Sequence, residues 1–308
     1  MSLLGWAKPE YLLQPRRLLR RMTRQWLDTE FADVCLPWGL PIRVPATNAL
    51  GRALRRFGLY DLAVSETLWR LTDPGETVAD VGANVGYTAA VAAGRLRGTG
   101  TVFCFEAHPK VFEELRDNLA RWRQLLPGLC LECFHVALSE ATGTLILSEP
   151  PGFERDWSSA RVESHPPNDG QARLEVPAAT LDASLAHVHA IHVLKVDVEG
   201  YEAKVLAGGR RFLRDHRVRD VIFEDHNEYP TLASNLLEGH GYKVYRVHKG
   251  FFGPQLLSPD ALVQRSDWEP TNFLATRDVD RARERLSTRG WSILRGESSP
   301  ASSGRDPV

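Results

Sequence analysis

Val78-Ala79-Asp80-Val81-Gly82-Ala83-Asn84-Val85-Gly86-Tyr87-Thr88 is the stretch that most limits how this chain can fold. A short apolar run ends at Asp80, two glycines stand four apart, and a helical pattern runs from Thr88 to Leu96. That order reads as strand, tight turn, helix. Gly82 and Gly86 let the backbone turn sharply and approach a ligand without a Cβ in the way. Open α/β sheets bind nucleotides at such turns, beyond the ends of parallel strands. The dinucleotide fingerprint Gly-x-Gly-x-x-Gly sets a pyrophosphate on the helix N-terminus. Here Asn84 replaces the middle glycine and Asp80 closes the strand. A carboxylate repels a pyrophosphate and attracts a cation. S-adenosylmethionine carries a sulfonium and an ammonium and no phosphate, so the pattern suits it better than a nicotinamide dinucleotide.

Further strands with polar tips fall in order along the chain. Thr101 to Phe105 is apolar and ends at Glu106, about 20 residues past the glycine turn, where a carboxylate is placed to accept both hydrogens of a ribose diol. Pro109 then opens a helix through Trp122. Leu129 to Leu138 reads as a third strand and holds Cys130 and Cys133, with no second ligand pair at zinc spacing. Thr144 to Leu147 and Arg173 to Pro177 read as outer strands. Between them, 150–170 is rich in Pro, Gly, Ser and charge, a surface loop placed to cover a substrate, with Trp157, Ser158 and Ser159 facing the ligand. Ile191 to Val196 runs into Asp197, Glu199 and Glu202, and Val218 to Phe223 into Glu224, Asp225 and His226. Carboxylates are seldom buried without a partner, so packing alone does not explain them. Gly241 to Val247 and Thr271 to Thr276 complete the strands.

Before the glycine turn, residues 1 to about 30 form a basic amphipathic stretch, a helix suited to docking on the main domain or a second copy of the chain, or to contact with a membrane surface or an acidic partner. Cys35 to Val44 reads as a short hairpin because two prolines interrupt it, and Leu50 to Leu71 as one helix. The expected division is an extension over 1–72, one domain over 73–290, and a disordered tail over 291–308. The net charge of −1 does not point to nucleic acid, and four cysteines without a secretory pattern suggest a reduced, cytoplasmic protein. No apolar run is long enough for a transmembrane segment. His187, His189 and His192 read as solvated loop histidines, so no metal is expected there.

Three of these pieces resemble the FkbM family of SAM-dependent methyltransferases: Val78 to Thr88, the Phe105-Glu-Ala-His-Pro109 tip, and Leu194-Lys-Val-Asp-Val-Glu-Gly-Tyr-Glu-Ala-Lys-Val-Leu-Ala-Gly208. The resemblance covers about 35 to 276. It implies a class I methyltransferase (Rossmann-like) α/β fold: a seven-stranded, mostly parallel sheet with the last strand antiparallel and helices on both faces. To this the chain adds its N-terminal helical and hairpin extension. It also implies S-adenosylmethionine as cofactor and O-methylation of a small-molecule or glycoconjugate hydroxyl. Asp80, Gly82, Ala83, Asn84, Gly86, Tyr87 and Thr88 would bind its methionine part, Glu106 with Ala107 the ribose, Ala137 the adenine, and Asp197 the region of the sulfonium.

Methyl transfer to an alcohol needs the acceptor oxygen held in line and its proton removed. Asp197, Glu199, Glu224 and His226, at the ends of neighbouring strands, are the candidates. His226 or Asp197 is expected to take the proton, with Glu199 or Glu224 orienting it. The same four groups offer a second chemistry, a divalent-cation site. Competing functions are transfer to nitrogen or a carboxylate, a nicotinamide oxidoreductase, and a non-catalytic SAM-binding scaffold.

Overall fold

The computed structural model describes residues 29–150, 152, 153, 157, 160–162, 172–263 and 271–295. The basic N-terminal stretch, Ser158, Ser159 and the tail from 296 lie outside the described residues. Strands β1 (Phe31–Cys35) and β2 (Pro41–Pro45) pair antiparallel in the expected hairpin. Helix α1 (Ala49–Phe57) follows, with Asn48 Oδ1 accepting from Gly51 N–H as its cap. The single helix expected from Leu50 to Leu71 is two. Gly58 (φ 74°) and Asp61 (φ 34°) both enter the left-handed region, which stops α1 and starts α2 (Leu62–Leu71) in a new direction. Asp61 Oδ1 accepts from Val64 N–H and caps α2.

The rest of the chain runs β3 (Thr77–Val81), α3 (Tyr87–Leu96), β4 (Thr101–Glu106), α4 (Pro109–Leu125), β5 (Cys130–His135), β6 (Ala137–Leu138), β7 (Gly143–Glu149) and β8 (Arg161–Val162). It continues with β9 (Ala172–Ala179), α5 (Leu181–Ser184), β10 (Ile191–Val196), α6 (Glu202–Ala207), α7 (Arg210–Arg214), β11 (Val218–Asp225) and α8 (Leu232–Gly239). It ends with β12 (Lys243–Lys249), β13 (Pro254–Leu257), β14 (Thr271–Thr276), α9 (Val279–Ser287) and α10 (Ser292–Arg295).

The main sheet has the order β13-β12-β14-β11-β10-β3-β4-β5. Strands β11, β10, β3, β4 and β5 are parallel neighbours, and β14 lies antiparallel between β11 and β12. This is the class I methyltransferase sheet, with one change. An eighth strand, β13, hairpins back onto β12 and becomes the edge. The expected strand over Leu129 to Leu138 divides: β5 is the other edge of the main sheet, and β6 turns away to join β9, β7 and β8 in a separate four-stranded sheet. That edge position leaves Cys130 exposed rather than in a core.

Side chains alternate between two cores, as the strand repeat requires. Val78, Val102, Cys104, Val193, Ile222 and Leu274 pack under α2, α3 and the hairpin. Ala79, Val81, Phe103, Phe105, Leu194, Phe223 and Phe273 pack on the other face with α6 and α7. Asp80, Lys195, Glu224 and Asn272 fall on the parity of the first set. The hairpin, α1 and α2 share that core, so the chain has no break in packing at residue 72. Neither does the fold end at 290. Trp291 and Ile293 are buried, and Glu66 accepts the Ser292 and Ile293 N–H groups. The apolar triplet within Trp291-Ser-Ile-Leu294 supplies the reason: it covers α2. None of the described helices is long and apolar enough to cross a membrane.

Candidate active site

A cavity opens over the C-terminal ends of β3, β4, β10 and β11. The turn after β3 forms its floor. Gly82 has φ 79°, and a Cβ there would stand 1.8 Å from the carbonyl oxygen of Asp197, so only glycine lets the ends of β3 and β10 meet. Gly82 and Ala83 donate their N–H groups to Phe105 O, which ties the turn to β4. Asn84 (φ 50°) uses its own Oδ1 to accept Val85 N–H, a short-range bond that makes asparagine a fit residue for this left-handed position. Gly86 lies behind the wall. A Cβ on it would come within 2.9 Å of Leu115 and 3.1 Å of Trp122, so it sets the seat of α4.

Glu106, at the tip of β4, is held in place before any ligand arrives. Its Oε2 accepts from Asn84 N–H at 2.9 Å and its Oε1 from His108 N–H at 2.8 Å. Burial pushes its pKa up, and these N–H groups oppose the shift. Each oxygen keeps a lone pair for a further donor. Gly82, Ala83, Asn84, Tyr87, Thr88, Glu106, Ala107, Ala137, Asp197 and Trp157 all line the cavity. Tyr87 does so with its hydroxyl engaged by Tyr60 N–H and Ser65. Trp157 is buried there under Lys110 Nζ, 4.9 Å above its ring, with Phe31 at its edge.

Asp80 is placed differently from the expectation. It is 1% exposed and lies one layer below the cavity wall, across from Lys195 in register. Burial pushes it up to about 7, against the pull of Lys195. Its Oδ2 meets no partner among the described residues. Lys195 is itself buried and donates to Asp197 Oδ2 at 3.1 Å. Burial opposes its charge, but Asp197 and Glu224 outweigh that and hold its pKa above the ordinary lysine value.

The four candidate proton-handling groups do converge, in an unexpected order. Asp197, Glu199 and Glu224 line the cavity, whereas His226 stands outside that lining, with Nε2 3.3 Å from Glu199 Oε2. Arg161 reaches the same oxygen from the other side at 3.5 Å. Burial and the neighbouring Asp197 raise the Glu199 pKa, and Arg161 and His226 oppose them. Glu224 is pushed up to about 8 by burial first and by Asp197 next, with Lys195 opposing. Glu202 has a structural task, because one oxygen accepts both Val198 and Gly200 N–H groups. His192 Nδ1 accepts Thr77 N–H and His187 packs edge-on against Phe103.

Asp61 and Asn272 also line the cavity and were not legible as site residues. The Gly58-Leu-Tyr-Asp61 sequence carried the available signal, a stop followed by a cap, but the apolar period ran through it. Among the described lining residues, five carboxylates (Asp61, Glu106, Asp197, Glu199, Glu224) face one lysine and no arginine. That balance does not fit a pyrophosphate, and Asp197 beside the glycine turn fits a cationic group.

The model of the Methyltransferase FkbM domain matches residues 80–244. The chain belongs to the FkbM methyltransferase family. It is therefore a methyltransferase, and the family implies S-adenosylmethionine as methyl donor. Its relatives include the 31-O-demethyl-FK506 methyltransferase FkbM of Streptomyces tacrolimicus, 31% identical over 56% of this chain and 74% of that protein. The hexuronic acid methyltransferase AglP of Haloferax volcanii is 29% identical over 60% of this chain and 76% of its own length. The 2-O-methyltransferase NoeI of Sinorhizobium fredii is 26% identical over 52% and 68%. The FkbM match begins at Asp80, so α1 and α2, whose N-terminal ends line one side of the cavity, precede it together with the hairpin.

Proposed function

We propose that this protein is an O-methyltransferase that uses S-adenosylmethionine to methylate a hydroxyl of a sugar, glycoconjugate or secondary metabolite. The observation that carries the reading is a single cavity joining a pre-oriented diol acceptor, Glu106, to a carboxylate with a histidine behind it, Glu199 with His226. Two relatives named for 2-O- and 31-O-methylation support the oxygen as target. Bound in this cavity, the donor supplies a methyl group on a sulfonium, already electrophilic. Glu106 accepts the ribose hydroxyls. Asp197, tethered by Lys195, would meet the cationic end. Glu199 takes the acceptor proton, because it faces the cavity and its raised pKa moves it toward the operating pH. His226 and Arg161 orient it and share its charge. This reverses the roles expected for Glu199 and His226.

Calorimetric titration with S-adenosylmethionine and S-adenosylhomocysteine tests the donor site: micromolar binding is expected for wild type and its loss for Glu106→Ala. Mass analysis of the product then locates the methyl group, and a methylated nitrogen or carboxylate overturns the assignment. Glu199→Gln is expected to lower kcat by about 10²-fold or more with donor binding kept. Near-wild-type kcat in that variant would remove Glu199 from the role.

A further inference from the structure

The end of the cavity away from Glu106 holds polar groups to which the transfer itself gives no task. Asn272, the second residue of β14, lies directly across from Glu224 in register. Both residues take the sheet face of α2 and α3, since they alternate with Phe273 and Phe223 in the opposite core. Asn272 Nδ2 donates to Asp61 Oδ2 at 3.0 Å, while Asp61 Oδ1 is engaged by Val64 N–H. Asn272 lines the cavity, and its Oδ1 is buried with no partner among the described residues. A buried acceptor without a donor is costly, and a ligand's donor removes the cost.

The position separates this group from the ribose end. Glu106 lies on β4 and Asn272 on β14, with β3, β10 and β11 between them. Four strand spacings amount to about 19 Å. The chemistry then narrows what binds. Asn272 Oδ1 and the Asp61 carboxylate call for a donor. Glu224, pushed up to about 8 by burial, keeps its proton at neutral pH and offers an O–H. A group that meets both must donate and accept at once. A hydroxyl does so. A carboxylate or phosphate brings no proton, and an ammonium brings no lone pair.

We propose that Asp61, Asn272 and Glu224 form an acceptor subsite that grips a second hydroxyl, beside the one methylated, and so selects uncharged polyols such as neutral sugars over acidic or amino sugars. The subsite rests on the O-methyl-transfer reading above. It draws on both flanks of the matched domain, Asp61 before it and Asn272 after it.

The test measures methyl transfer from labelled S-adenosylmethionine to methyl glycosides of neutral hexoses, to hexuronates, to hexosamines and to cyclohexanol. Donor Kd is titrated separately for wild type, Asn272→Ala and Asp61→Asn, the last of which still caps α2. Neutral glycosides are expected to show kcat/KM at least about tenfold above the other three classes. Both variants are expected to raise acceptor KM by about tenfold or more at unchanged donor Kd. Equal turnover of a charged sugar or of cyclohexanol overturns the subsite and leaves O-methyl transfer standing. A parallel loss of donor affinity in both variants also overturns it, and assigns the three residues to the methionine end. A wild type that binds donor and methylates no hydroxyl in any class overturns the subsite together with the transfer reading.

Discussion

Glu224 shows how one side chain can carry a pH dependence for the whole protein. Its folded pKa of about 8 lies above the ordinary glutamate value of 4.5. Between those values the unfolded chain releases a proton that the folded chain keeps. The stability it contributes is therefore full below about 4.5 and is lost as pH rises through about 8. Glu224→Gln keeps the neutral shape without the titration. In ligand-free thermal scans the Tm of the variant is expected to gain on wild type steadily from pH 5 to about 8.5. Parallel curves would mean that Glu224 ionises in the fold as it does in the unfolded chain. At Gly82 the constraint is steric. Gly82→Ala drives a Cβ into Asp197 O at a φ of 79°. It is expected to cost more than about 1 kcal/mol in denaturant unfolding and to abolish donor binding. Wild-type stability in that variant would mean that β3 and β10 need not approach so closely.

Elements that bury one face at a regular period were legible in the sequence. The glycine turn, β4 with Glu106, and β10 and β11 with their acidic tips all lie where the pattern put them. What escaped was set by local backbone geometry or by pairing. The α1–α2 break turns on two left-handed residues inside an unbroken apolar period. Strand β13 is four residues long, too short to show alternation, and exists because a turn at Gly250–Gly253 lays it against β12. The order of Glu199 and His226 depended on which side chain points inward, which spacing along two different strands does not reveal. Helix α9 has its own anchor. Asp73 accepts from Arg285 at 2.8 Å, Arg281 at 2.9 Å and Arg95 at 3.3 Å, joining the entry to β3 with α3 and α9. Burial works against its charge, yet Arg285 and Arg281 hold it down to about 2. Its contribution is present above the ordinary value of 3.8 and lost as pH falls through about 2. Asp73→Ala is expected to cost about 1–2 kcal/mol at pH 7 after allowance for solvent screening, and little below pH 2. Urea midpoints at both pH values check the difference.

Across the described residues, α2, before the main sheet, and α10, after it, close on one another. Glu66 on α2 receives Arg70 and the first N–H groups of α10, and Arg70 also donates to the Thr288 and Gly290 carbonyl oxygens. Trp291 is 1% exposed beside them. Trp291→Ala is expected to cost about 3–5 kcal/mol, and a chain stopped at 290 a similar amount, with Tm as the readout. An unchanged Tm in both would show that α10 is an accessory. The Asp61–Asn272 hydrogen bond repeats this closure inside the cavity, with its two partners 211 positions apart. Replacing either partner strands the other as a buried polar group. The two flanks of the matched domain are thus coupled: a change at Asp61 is expected to call for one at Asn272. Under the proposed acceptor subsite, a change of acceptor is expected to rewrite this distant pair together while the donor-binding centre stays as it is.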